Sequence, residues 1–152
     1  MAKSTRQYVF EGMELLPLAL APFVEKRLES SLTGHWQPKV QDKLPNLKAN
    51  SDGSFSWDQA ALFNAMDRFW ADAFKSVLGR AERSIVNELA DVRNKLSHND
   101  NFSYDDAERA LDSMRRLMEA ISAGDTAEKL SKMRDTILRT KFTELQQIGR
   151  AH

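Results

Sequence analysis

The chain has 152 residues, 41% hydrophobic and 29% charged, the profile of one globular domain with enough chain to bury a core. It has no cysteine, which excludes disulfides, thiolate metal sites and a cysteine nucleophile, and its three histidines, His35, His98 and His152, make a poor zinc ligand set. Its 22 basic and 22 acidic residues balance along the whole chain (seven against six over 1–56, six against seven over 57–102, nine against nine over 103–152), so any grip on nucleic acid must come from a local patch.

The first predicted helix runs from about Arg6 to Leu32, broken at Pro17, restarted at Pro22 and ended by Gly34. Its apolar stretch, Met13 to Val24, is too short to span a bilayer and is interrupted by prolines, so it reads as buried core. The protein is expected to be cytoplasmic, with no membrane partner. Residues 35–55 hold prolines, Gly53 and several Asn, Asp and Ser, and are expected to form a long loop, mobile or functional. Ser56 is expected to cap a second helix, with Gln59 as its capping-box partner. That helix carries Phe63, Met66, Phe69, Trp70, Ala73, Phe74 and Val77, a face so wide that the helix is expected at the centre.

Gly79 punctuates, and a third helix follows from about Arg80 to Ser97. Ser103 and Asp106 open a fourth, with Ala107, Ala110, Leu111, Met114, Leu117, Met118 and Ile121 at core spacing. Gly124 and Asp125 turn the chain into a fifth, which carries Leu130, Met133, Ile137, Leu138, Phe142, Leu145 and Ile148. Period-two alternation is missing. The expected class is all-α, an up-and-down bundle of about five helices in one domain over 1–152. The last helix stays amphipathic up to Gly149, which suggests the N-terminal module of a longer protein; a natural end that frays fits equally well. The six glycines are scattered and form no phosphate-cradling loop, and no metal or cofactor is expected.

The third helix carries the one constellation with chemistry. Ala81, Ile85, Leu89, Val92 and Leu96 fall on one line and read as the core stripe. Arg93 lies on the flank of that stripe, and Asn94, Asn87 and His98 lie on the far side. Between them runs a shallow face of small residues, Val86, Ala90 and Ser97, on which a second copy of the chain is expected to pack, bringing two sets of Arg, Asn and His into one cleft.

The run Arg93-Asn94-Lys95-Leu96-Ser97-His98, at the end of a helix and followed by Asn99-Asp100 and a capped helix, resembles the signature of the HEPN superfamily. Leu20 to Glu25, Gly79 to Ser84 with the aromatic helix between them, and Phe102 to Ala107 resemble its Swt-one-like branch. The similarity extends over about residues 8–145. In that branch the motif often has Trp and Ala where this chain has Leu96 and Ser97. The resemblance implies a helical-bundle homodimer and, in active members, a metal-independent endoribonuclease. It also implies frequent fusion to, or association with, large ATPases, helicases or antitoxins in phage-defence and toxin–antitoxin systems. On this reading Arg93, Asn94 and His98 are catalytic, and Arg83, Asn87, Ser97 and Asn99 contact the RNA.

The residue types suit the chemistry. RNA carries its own nucleophile in the 2′-hydroxyl. A histidine takes or gives protons near neutral pH, and an arginine holds a phosphate with a charge that does not titrate. Two reading classes remain beside the enzyme: a non-catalytic dimerisation or RNA-sensing module for an attached ATPase or helicase, and a plain helical adaptor. Elsewhere the commoner readings hold. His35 and Trp36 read as a loop anchor, Trp57 and Trp70 as core, and Asp105 and Asp106 as helix-start residues. Arg115, Arg116, Lys129, Lys132, Arg134, Arg139 and Lys141 form the densest basic stretch; interleaved acids make it a solvated face, with an RNA-backbone patch the minority reading.

Overall fold

The computed structural model describes residues 3–151, so His152 lies outside the described residues. The chain folds into α1 (Thr5–Ser31), α2 (Trp36–Lys43), α3 (Gln59–Arg68), α4 (Arg80–Ser97), α5 (Tyr104–Ala120) and α6 (Gly124–Ala151). A two-residue antiparallel ribbon, β1 (Lys48–Ala49) with β2 (Phe55–Ser56), precedes α3, and one turn of π-helix (Trp70–Phe74) follows it. The class is all-α, as the periodicity predicts. No helix is long and apolar enough to cross a membrane.

The central element is α1, not the aromatic helix. Val9, Gly12, Met13, Leu16, Leu20, Val24 and Leu28 recur three or four apart along it and are all buried, against α3, α5, α6 and the π turn. The expected break at Pro17 does not occur. Proline removes the N–H that would bond the Met13 carbonyl, and Gln59 replaces it, donating from Nε2 to the Met13 oxygen at 3.0 Å. At Pro22 the freed carbonyl belongs to Leu18, whose side chain is 89% exposed, so that orphan lies on the solvent side.

This use of Gln59 also corrects the start of the next helix. The N-cap is Asp58, which accepts from the Ala61 N–H at 2.8 Å, while Gln59 is buried rather than reaching back to Ser56. That helix ends at Arg68, and the widened turn from Trp70 to Phe74 redirects its aromatic residues into the core. Residues 35–55 are not an open loop. Val40, Leu44, Leu47 and Phe55 are buried, and Trp36, Phe55 and Trp57 meet edge to face, so α2 and the ribbon are fastened to the bundle.

Candidate functional site

Two neighbours position α4: α3 on one side and α5 on the other. This rotates its buried stripe away from the line read from spacing. Val86 and Leu89 are the buried residues, Ile85, Val92 and Leu96 are half-buried, and Ala81 is exposed. Val86 is therefore corrected: at 1% exposure within a single chain it has no surface to offer a second copy. The helix that approaches the small face closely is α3 of the same chain.

Between α3 and α4 lies a cleft of about 230 Å³. Phe63 and Val86 form its floor, Ala60, Asn64 and Asp67 the α3 wall, and Asn87, Ala90, Arg93 and Asn94 the α4 wall. Three asparagine amides and one guanidinium thus face a groove whose floor is apolar. Arg93 is half-buried and donates from Nη1 to the Ser97 hydroxyl oxygen at 2.8 Å, which lays its guanidinium along the helix toward the C-terminal end. Ser97 is exposed and serves as this brace.

His98 caps α4 and is exposed. Five positions separate it from Arg93, about 140° around the helix, so within one chain the two are joined through Asn94 and Ser97 rather than facing each other. The turn that holds His98 is built with unusual completeness. The Asn99 N–H bonds the Leu96 carbonyl at 3.3 Å and the Asp100 N–H bonds the Lys95 carbonyl at 3.0 Å, with Asn99 at φ +60°. This is a Schellman cap, and asparagine is among the few residues that take the left-handed position readily. Asn99 thus shapes the turn, exposed beside His98.

From the other end of the sequence, Arg6 of α1 donates to the Leu96 and Asp100 carbonyls, and the Thr5 hydroxyl donates to the Phe102 carbonyl at 2.7 Å. Lys95 lies over the Phe102 ring at 4.8 Å, and 3.9 Å from Asp106. Ser103 and Asp106 then close the capping box that starts α5. The motif turn is therefore held from α1, α4 and α5 at once.

Arg83 does not line the cleft itself but reaches its α3 wall at Asp67. Ten positions back, about 15 Å along the helix, it sits 3.7 Å from Asp67 and 5.5 Å from the Trp70 ring centre. Sequence reasoning missed Arg6, Ala60, Asn64 and Asp67. For Arg6 no local signal exists, since its partners lie 90 and 94 positions away. For Ala60, Asn64 and Asp67 the signal was present: small and polar residues recurring on one face of an otherwise apolar helix.

Among the described residues no three His, Asp or Glu side chains cluster to hold a metal ion. A family model described as Swt1-like HEPN matches residues 11–122, a span that includes α3, α4, the motif turn and α5. No curated protein and no solved structure matches the chain.

Proposed function

The chain belongs to the Swt1-like HEPN family, and from that premise we propose that it is a metal-independent endoribonuclease domain that acts as a homodimer in a phage-defence or toxin–antitoxin system. The observation that carries this reading is the groove-side placement of Arg93 and Asn94 next to the braced turn that presents His98. Family membership alone supports an RNase-type or nucleotide-binding module.

In the proposed reaction Arg93 neutralises a non-bridging phosphoryl oxygen while Asn94 donates to the same phosphate. One imidazole takes the proton from the 2′-hydroxyl. The 2′-oxygen bonds to phosphorus, the bond from phosphorus to the 5′-oxygen breaks, and a second imidazole protonates the leaving oxygen. The products are a 2′,3′-cyclic phosphate and a 5′-hydroxyl. Two imidazoles are needed and each chain supplies one His98, which is the reason for a dimer.

The second reading, a non-cutting RNA-sensing or dimerisation module serving an attached ATPase or helicase, is favoured by one specific observation. Within one chain Arg93 faces α3 while His98 is exposed, so the phosphate and proton-transfer groups do not meet unaided. The substrate separates chemistry from binding. An RNA oligonucleotide in excess chelator should be cut to the ends given above and its all-deoxy counterpart left whole. Cutting of the deoxy strand contradicts attack by a 2′-hydroxyl.

A further inference from the structure

A chain whose charges balance needs a local patch to hold a polyanion, and most of its densest basic stretch is paired with acids. Arg115 pairs with Asp112 and Glu119, Arg116 with Asp112, Arg134 with Glu108, Lys132 with Glu128 and Lys141 with Asp105. Among the described residues, Lys129 and Arg139 of that stretch have no carboxylate oxygen within 4.0 Å, and neither do Lys43, Lys48, Arg68 and Arg93, but only these last four line clefts that also hold asparagine or tryptophan side chains.

Those four line three adjoining clefts. The cleft at Arg93 shares Ala60 and Asn64 with a second cleft of about 410 Å³ on the other side of α3, where Lys43, Arg68 and Asn46 stand over Leu44 and Leu47. That cleft shares Asn46, Leu47 and Ala61 with a third of about 450 Å³, lined by Lys48 and Trp57. The two carboxylates along the way are engaged: Asp58 accepts from the Ala61 N–H, and Asp67 faces Arg83. Trp57 is a fixed platform. Its indole N–H donates to Glu25 at 2.7 Å and its ring meets Phe55 at 70°, with centroids 5.7 Å apart. Ala60 and Asn64, which line both of the first two clefts, are exposed and neither is bulky.

Cations spaced along a groove, with an aromatic face and amide edges between them, suit a single polynucleotide strand: the cations track phosphates and the ring stacks an unpaired base. We propose that this groove across the start of α3 is a binding track for single-stranded RNA that feeds the strand to Arg93. The inference rests on the RNA reading above and adds to it where the flanking nucleotides lie.

The test compares wild type with two triple variants that remove equal charge. One is Lys43→Gln/Lys48→Gln/Arg68→Gln in the groove; the other is Lys129→Gln/Lys132→Gln/Arg139→Gln on α6. All six side chains are exposed, and thermal melting checks that both variants fold. The probe is a fluorescently labelled oligouridylate followed by anisotropy over a range of salt. The groove variant should lose affinity about tenfold at low salt, and its salt slope should fall by about 2, three cations at roughly 0.7 each for a single strand. The α6 variant should bind like wild type. If the groove variant melts early, Lys48→Gln alone should remove about a third of that slope. Wild-type affinity in the groove variant overturns the track and leaves the Arg93 site standing. Equal losses in both variants point to bulk charge and also overturn it. A wild-type protein that binds no oligouridylate overturns the RNA reading and the track together.

Discussion

Arg6 ties the N-terminus of the fold to the carbonyl oxygens around His98, and its effect exceeds that of an ordinary surface arginine. The last carbonyls of a helix have no partner within it, and a cation there satisfies both hydrogen bonding and the helix dipole. Replacing Arg6 by Ala should destabilise the protein by about 1–2 kcal/mol in chemical denaturation. It should lower RNA cutting further than that loss explains, because the turn presenting His98 loosens. Unchanged stability together with unchanged cutting would remove Arg6 from the account. Arg93 and Asn94 were readable from the chain because motif and helix spacing agree. Arg6 was not, because a side chain that recognises backbone carbonyls across the fold leaves no pattern in its own neighbourhood. Gln59 makes the same point from the other side. Its position after Ser56 suggested a local cap, and the buried carbonyl left by Pro17 recruited it instead.

Among the elements, α1 sets the packing, and at Gly12 it lies close against α5 and α6. A Cβ at that position would stand 2.7 Å from Leu111 Cδ2, 2.9 Å from Met114 Sδ and 3.2 Å from Leu130 Cδ2. Gly12→Ala gains helix propensity of about 1 kcal/mol but must displace the buried ends of Leu111, Met114 and Leu130, so a net destabilisation of about 1–2 kcal/mol is expected. A melting curve shifted downward is the expected result; an upward shift would mean the three side chains yield freely. Helix existence was legible throughout because the 3.6-residue period is strong. Three features were not, and each depends on tertiary contacts: the uninterrupted passage through Pro17, the π turn at Trp70–Phe74, and the rotation of the α4 stripe. A helix with one neighbour buries the face its spacing suggests, whereas α4 has two. That is why Val86, expected on an outer face, lies inside, and why the cleft beside Arg93 has α3 as its second wall.

For the whole molecule, charge is sorted rather than merely balanced. On α5 and α6 the acids and bases neutralise one another around Asp112. Burial pushes the Asp112 carboxyl up, but the hydrogen bond from Arg115 and the charges of Arg115, Arg116 and Arg134 outweigh this and hold it below the usual carboxylate range. Lys43, Lys48, Arg68 and Arg93, which have no such partner among the described residues, line the clefts on the α2–α3–α4 side. The apolar side chains Phe142, Leu145 and Ile148 of α6 remain exposed, so the single chain does not bury all its hydrophobic pattern. Dimerisation, which the proposed chemistry needs in order to supply a second His98, is a property of this scale. Light scattering should give a mass twice the 17.3 kDa chain at micromolar concentrations, with dissociation on dilution. A strict monomer at the highest attainable concentration removes the composite cleft and favours the non-cutting reading.

The most direct measurement of the proposed activity is cleavage of RNA in excess chelator by wild type and by His98→Ala, with the ends of the products identified. Wild type should yield 2′,3′-cyclic phosphate and 5′-hydroxyl ends, and the variant, with an unchanged melting temperature and intact RNA binding, should yield none. Equal cutting by both proteins would place the chemistry elsewhere and contradict the account.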